Sequence, residues 1–160
     1  MTTTAIDTAG WQAVDLRLYG ASLLLPPDWE TLPPVPANGQ EVLRATGGAG
    51  LQLIVFKLRS HGRSAVAYAA GTQTTLEKHG YTDFTIAGLP FAGVEGACMQ
   101  FRYAGPDRPT RTSWEFFAPR GPAMFVLGLS STDAERDRPT VDALAAGVTL
   151  TPGPSRTTLS

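Results

Sequence analysis

The sequence has few of the residues on which catalytic and metal sites usually depend. Its 160 residues include one cysteine, Cys98, and two histidines, His61 and His79. A single cysteine excludes an internal disulfide, so nothing in the composition indicates an oxidising compartment. The histidines have neither a cysteine pair nor a His-x-Glu pattern near them, so the usual spacing of a zinc site is missing. We therefore expect no metal and no cofactor.

The sequence also lacks an excess of positive charge and a long apolar run. Lysine occurs only at Lys57 and Lys78, and the formal net charge is -1. A general binder of nucleic acid would carry a surplus of basic residues, so we expect no nucleic-acid partner. No run approaches the ~20 apolar residues of a membrane span. The first residues also lack the pattern of a secretory signal, which is a basic start followed by an apolar run. We expect a cytoplasmic protein without membrane insertion.

What is present suits one globular domain. Hydrophobic residues make up 42% of the chain, and its length allows a sizeable core. Polar segments at 1–10 and 151–160 predict tails on either side of a domain at 11–150.

Short apolar segments separated by glycine and proline predict strands in the first third of the chain. Strands are expected at 14–18, 21–25, 41–46 and 51–58. Gly47-Gly48-Ala49-Gly50 lies between the last two strands. A phosphate-binding loop needs a helix after its glycines, so this run predicts a hairpin turn.

A helix at 64–79, with Ser64 as its N-cap and Gly80 after its end, follows these strands. A second helix is expected at 139–148 with Pro139 in its first turn, and the capping-box pattern from Thr132 to Glu135 allows an extra turn before it. Strands at 82–89, 95–103, 111–118 and 123–130 lie between the helices, and their short turns require antiparallel pairing. The predicted fold is α+β, a single antiparallel sheet of six to seven strands with two main helices.

Three segments resemble the PsbP-like, or Mog/PsbP, superfamily. They are the strand and corner Ser22 to Trp29, the apolar strand 51–58 before a single helix, and the segment Ile86 to Gly93 before a meander. The resemblance implies a domain without catalytic activity, as in photosystem accessory subunits, a small-GTPase release factor, bacterial lipoproteins and EagR-type secretion chaperones. The start of the chain has no acylatable cysteine, so the cytosolic chaperone type is the nearest analogy.

The candidate chemical residues each have a simpler structural interpretation. Cys98 would need a neighbouring histidine to become a nucleophile, and nothing in the sequence places one there, so a packed strand residue is expected. The acidic residues Asp133, Glu135 and Asp137 alternate with arginines and predict a solvated helix entry. Basic and aromatic residues also interleave in the meander, where we expect core aromatics and arginines at turns. The residues concerned are Arg102, Arg108, Arg111, Arg120, Trp114, Phe116 and Phe117.

Alternation along the strands predicts one sheet face toward the helices and one open face. The helix side is expected to carry Met99, Phe101, Tyr103, Trp114, Phe116, Phe125, Leu127 and Leu129. The open side is expected to carry Leu53, Val55, Gln100, Arg102, Ser113, Glu115, Met124 and Val126. This mixture of aliphatic and polar groups suits an apolar or amphipathic segment of a partner.

The sequence thus predicts a cytosolic adaptor or chaperone that binds a client protein on the open sheet face, and bacterial secretion or injection machines are the setting that the resemblance implies. Two alternatives remain open: a structural subunit of a larger assembly, and a small-ligand-binding domain. The adaptor or chaperone is expected to be a homodimer or part of a larger bacterial assembly.

Overall fold

The computed structural model describes residues 6–16, 19–35, 40–47, 50–106 and 108–151. Most of both predicted tails, together with Gly48 and Ala49 of the glycine run, lies outside these ranges. The helices and strands are β1 (Gln12–Leu16), β2 (Ala21–Leu25), β3 (Glu30–Leu32), β4 (Glu41–Thr46), β5 (Gln52–Arg59), α1 (Ala65–Glu77), β6 (Thr82–Phe91), β7 (Val94–Gly105), β8 (Arg108–Arg120), β9 (Ala123–Ser131), α2 (Ala134–Ala146) and β10 (Thr149–Leu150).

The strands form two antiparallel sheets. The larger has seven strands in the order β3-β4-β5-β9-β8-β7-β6, and the smaller has three in the order β1-β2-β10. The α+β prediction is confirmed, and β4 and β5 pair across the glycine run as the expected hairpin. The short strands β3 and β10 were not predicted, and the opening strands form the smaller sheet instead of joining the main one.

The first helix follows its sequence signals closely. The Ser64 side chain accepts a hydrogen bond from the Ala67 main-chain N–H at 3.2 Å, which confirms it as the N-cap. The buried side chains of α1 are the small residues Ala65 and Ala69. Alanine at these positions lets the helix axis lie close to the sheet beneath it.

The second helix begins at Ala134, where the capping-box pattern from Thr132 to Glu135 allowed an extra turn, and its N-cap is one residue later than Thr132. Its N-cap is Asp133, whose carboxylate accepts from the Arg136 main-chain N–H at 3.2 Å, so Pro139 lies inside the helix and not in its first turn. Buried Asp137 also accepts a 2.5 Å hydrogen bond from the Ser131 hydroxyl at the end of β9. These bonds fix the start of the helix five residues before Pro139. Pro139 alone, taken as a first-turn residue, would place the start of the helix too late.

The two helices lie on opposite faces of the seven-stranded sheet. On one face, α2 and β2 cover a core that includes Trp114, Leu127 and Leu129. On the other face, α1 covers a second core that includes Met99, Phe117 and Val126. Because α1 packs on β6, β7 and β8, a part of this face near β5 and β9 is left beside the helix. No helix among the described residues is long and apolar enough to cross a membrane.

Candidate functional site

The eight residues predicted to form one open face are divided between the two faces of the sheet. One set shares the α2 face: Leu53, Val55, Gln100 and Arg102. The other set shares the α1 face: Ser113, Glu115, Met124 and Val126. The prediction that they form a single surface is therefore wrong, and so is the predicted helix side, because Met99 and Phe101 face α1 while Trp114 and Phe116 face α2.

The error comes from two registers, that between β7 and β8 and that between β5 and β9, where Leu53 pairs with Leu129 and Val55 with Leu127. Met99 pairs with Glu115 and Gln100 pairs with Trp114, whereas the predicted faces placed Met99 with Trp114. The shape of the turn sets this register, and the pairing is irregular between Tyr103 and Gly105. Since side chains alternate with a period of two, a shift of one residue moves every side chain of the strand to the other face.

Burial removes half of the predicted set from any surface. Leu53, Val55, Met124 and Val126 are at most 1% exposed, so in this conformation none of them can contact a partner. Half-buried Gln100 has a structural role, because its side-chain oxygen accepts a 3.2 Å hydrogen bond from the indole N–H of buried Trp114. Of the set, Arg102 is exposed and Ser113 and Glu115 are half-buried.

Ser113 and Glu115 line a groove that we call the α1 groove. It lies beside the C-terminal end of α1, over the part of the sheet that the helix leaves uncovered, and its volume is about 310 Å³. Its lining residues come from β5, β7, β8, β9 and the end of α1: Gln52, Ile54, Phe56, Leu76, Tyr81, Phe101, Arg111, Ser113, Glu115, Gly128, Leu129 and Ser130.

The floor of the α1 groove is a row of paired residues that crosses four strands. Ile54 pairs with Gly128, Gly128 with Glu115, and Glu115 with Met99. A Cβ added at Gly128 would lie 3.7 Å from Phe56 Cε2 and 3.8 Å from Glu115 Oε2. The missing side chain of Gly128 therefore leaves a space bordered by an aromatic ring and a carboxylate.

Glu115 is an unusual residue for such a floor. Among the described residues, none donates a hydrogen bond to its carboxylate or forms an ion pair with it. Burial raises the pKa of Glu115 from 4.5 to about 7, because the apolar surroundings disfavour the charged form. At neutral pH the groove thus contains a carboxylate that is partly ionised and lacks a counter-ion.

The cationic residue among the described residues that line the groove, Arg111, is already engaged. The Arg111 guanidinium donates to the Ser130 hydroxyl at 2.7 Å, to the Gly50 carbonyl at 2.7 Å and to the Ser130 carbonyl at 3.0 Å. Arg111 therefore connects β8 to β9 and to the start of β5. These three bonds occupy the Arg111 guanidinium with acceptors other than Glu115.

Aromatic rings stiffen the groove wall near the end of α1. Tyr81 packs edge-on against Phe101 with 5.4 Å between ring centroids, and it also contacts Tyr103 at 5.1 Å. Phe84 stacks on the other side of Phe101 at 5.4 Å. Interlocked rings of this kind keep the wall in one shape, which favours a preformed binding surface.

The other candidates from the sequence take structural positions. Cys98 is half-buried on the α2 face, and burial raises its pKa to about 11, which disfavours the reactive thiolate. Trp114 and Phe116 belong to the core on the α2 face, as predicted for this aromatic pair, and Phe117 belongs to the core on the α1 face. Asp137 is buried, so the expectation of a solvated helix entry is wrong for that residue. The side chain of Arg108 lies outside the described part of the chain. Among the described residues, no group of three potential metal ligands occurs.

No protein-family model matches the chain, and no curated protein matches it in sequence. Solved structures do match it. The solution structure of cyanobacterial PsbP from Synechocystis sp. PCC 6803 has a TM-score of 0.69 at 11% identity, over 94% of this chain and 98% of that one. The Ran-binding protein Mog1p of Saccharomyces cerevisiae has a TM-score of 0.61 at 10% identity, over 89% and 96%. This chain has the PsbP/Mog1 fold.

A third structure comes from another bacterium. The protein of unknown function PA94 from Pseudomonas aeruginosa has a TM-score of 0.56 at 18% identity, over 91% of this chain and 99% of that one. The PsbP/Mog1 fold is thus shared at full length by proteins of very different sequence. Likeness at this identity concerns the fold, while function has to be argued from the site.

Sequence reasoning selected Glu115 and Ser113 but did not find the groove around them. Ile54 and Phe56 alternate with the core residues of β5, and Gly128 interrupts an apolar strand. A glycine inside a strand is the available signal, because it often marks a place where another group approaches the backbone. Gly128 indicates a binding site only together with Glu115, and only the pairing of β8 with β9 shows that the two residues are neighbours.

Proposed function

We propose that this chain is a non-enzymatic adaptor or chaperone that binds a segment of a client protein in the α1 groove. The observation that carries the proposal is an uncovered concave part of the sheet, where Ile54, Phe56, Leu76 and Tyr81 are only half-buried. Covering apolar surface that is in contact with water lowers the free energy, so a partner that covers this part of the sheet would bind favourably. A helix with an apolar face, laid along the strands, would do so.

The absence of catalysis is part of the proposal. Its support is chemical: Cys98 is held as a thiol, and the groove contains one carboxylate without a neighbouring base, thiol or imidazole among its described lining residues. The description of Mog1p as Ran-binding supports a protein partner by analogy of fold. By the same kind of analogy, through the resemblance to EagR-type chaperones, we propose a cytosolic role with a client from a bacterial secretion or injection machine.

Site-specific photo-crosslinking tests the location and the partner together. A photoreactive amino acid replaces Ile54 in the groove, and a matched probe replaces exposed Lys57, which lies on the same strand but on its other face. After irradiation in the native host, we expect one discrete covalent adduct from position 54 that is absent from position 57. Mass spectrometry identifies the attached segment.

The identified segment is then synthesised and titrated onto the purified chain. We expect saturable binding that weakens at least tenfold when Gly128→Val fills the groove floor, with the far-UV circular dichroism unchanged. Equal adducts from both positions, or binding that Gly128→Val leaves intact, would contradict the α1 groove as the client site. Turnover of a bound small molecule would contradict the non-enzymatic role.

A further inference from the structure

We infer that the client segment carries a lysine or arginine among apolar side chains, and that Glu115 binds its cationic group on the floor of the α1 groove. This inference rests on the proposed function and specifies the chemistry of the partner. It follows from the position of one carboxylate, the empty space beside it and the engagement of Arg111, which lines the same groove.

The first step concerns the carboxylate. Glu115 lies at the centre of the row Ile54, Gly128, Glu115 and Met99, in which each of its neighbours is apolar or lacks a side chain. A charge in such surroundings is costly unless it is paired. An isolated carboxylate at this position therefore has a strong electrostatic preference for an incoming cation.

The second step is to account for the counter-ion within the chain. The elements that surround Glu115 present Ile54 and Phe56 from β5, Gly128 and Ser130 from β9, and Phe101 from β7, none of which carries charge. Among the described residues, the titratable groups around it are two phenols, Tyr68 on α1 and Tyr81 after it, the Arg111 guanidinium and, on the other face of the sheet, the Cys98 thiol. Because Arg111 is bound to Ser130 and Gly50, no counter-ion for Glu115 is found among the described residues, and a ligand can supply one.

The third step concerns the nature of the ligand. A divalent metal would need several oxygen or nitrogen ligands, and Glu115 is the single carboxylate among the described residues that line the groove. A side chain with a long aliphatic stem fits better, because the stem covers Phe56 and Leu76 while the charged end reaches the carboxylate. Lysine and arginine have this shape, and apolar neighbours in the client would cover the rest of the groove.

The test is selection of peptides from a random 12-residue phage library on the immobilised wild-type chain and on Glu115→Gln, Glu115→Lys and the control Glu95→Gln. Glu95 is an exposed carboxylate on β7 outside the groove. Peptides that Gly128→Val no longer retains are scored as groove ligands. We expect those from wild type and Glu95→Gln to be enriched in lysine or arginine flanked by apolar residues. The enrichment is expected to disappear with Glu115→Gln and to change to aspartate or glutamate with Glu115→Lys.

A selected lysine peptide provides a second readout. Its affinity, measured by fluorescence anisotropy, is expected to fall about tenfold or more between pH 8 and pH 5.5 for the wild type, as Glu115 becomes protonated, and about twofold or less for Glu115→Gln. Groove ligands without basic residues would overturn this inference and leave the proposed function standing. If no selected peptide depends on the groove, the proposed function fails as well. Groove ligands that are enriched in aspartate or glutamate on the wild type, and that are lost in EDTA, would assign Glu115 to a metal ion and overturn the inference.

Discussion

Glu115 and Gly128 pair directly across β8 and β9, and the absent side chain of Gly128 leaves free the space beside the Glu115 carboxylate. Gly128 contributes the open space on the groove floor, and Glu115 contributes the charge beside it. A larger residue at position 128 would fill the floor of the groove. An amide at position 115 would remove its charge.

Glu115 makes the stability of the fold depend on pH. Burial raises its pKa from 4.5 to about 7, so the folded state binds a proton more tightly than the unfolded state between these values. Stability contributed by this group therefore falls as pH rises from 4.5 to 7. Between pH 4.5 and pH 8 we expect the free energy of unfolding of Glu115→Gln to rise by about 2 kcal/mol relative to that of the wild type. This is less than the full pKa shift would give, because the Glu115 side chain stays partly exposed.

Urea unfolding at both pH values measures this difference. Glu95→Gln is the control for removing a carboxylate from the same sheet and should show the same pH profile as the wild type. A Glu115→Gln profile parallel to that of the wild type would contradict the raised pKa.

Two glycines of the central strands are expected to respond very differently to alanine. A Cβ at Gly96 would lie 2.6 Å from the Phe117 carbonyl oxygen and 2.8 Å from Phe91 Cβ, whereas at Gly128 the nearest atom, the Ile54 carbonyl oxygen, is 3.4 Å away. We expect Gly96→Ala to cost about 3 kcal/mol, because backbone and core must shift, and Gly128→Ala to stay within about 1 kcal/mol of wild type. Thermal unfolding followed by circular dichroism measures both, and equal losses would contradict the open space beside Gly128.

The Gln100 side chain is expected to stabilise the α2 face through Trp114. Replacing Gln100 with leucine leaves the buried indole N–H without an acceptor, which costs about 1–3 kcal/mol of unfolding free energy. Arg102→Ala, on the same face of the same strand but exposed, should change stability by no more than about 0.5 kcal/mol. Denaturant unfolding monitored by tryptophan fluorescence distinguishes the two. A larger loss for Arg102→Ala would count against this role of Gln100.

Asp137 is expected to anchor the start of α2 to the end of β9. Its carboxylate accepts from Arg136 Nε and Nη2, both at 3.0 Å, and from the Ser131 hydroxyl. The hydrogen bonds from Arg136 keep the pKa of Asp137 below its usual value of 3.8, so the stabilisation is present above that pH and is lost as pH falls below it. We expect Asp137→Ala to cost about 2 kcal/mol at pH 7.

The difference between Asp137→Ala and wild type should shrink in urea titrations below pH 3. Asp142→Ala removes an exposed partner of Arg138 on the same helix and should cost about 0.5 kcal/mol or less. Equal losses for the two variants at pH 7 would show that Asp137 acts only as a surface charge.

Cys98 is expected to react slowly with thiol reagents. Because burial raises its pKa to about 11, the thiolate fraction at pH 8 is far lower than for a free cysteine. We expect alkylation by iodoacetamide to be at least ~10-fold slower than for the chain unfolded in urea at the same pH. Equal rates in the two states would indicate an activated thiol and reopen a catalytic role for Cys98.

The sequence by itself determined the local structure. The periodicity of apolar residues, the Ser64 cap and the glycine and proline positions were sufficient for α1 and for the strands of the meander. The resemblance of Ser22 to Trp29 and of Ile86 to Gly93 to the PsbP-like superfamily led to the fold that the structural comparisons show. These signals depend on residues close together in the chain, where spacing alone decides which backbone conformation is favourable.

Only the tertiary structure decided which face each strand presents and where the helices lie. With both faces covered, β5, β7, β8 and β9 carry apolar residues on both sides, so alternation does not indicate which side is open. The register at the turn between β7 and β8 then placed Glu115 on the α1 face, and the pairing with β9 brought Gly128 beside it. The groove exists because α1 covers three strands of the sheet and leaves this pair next to its end.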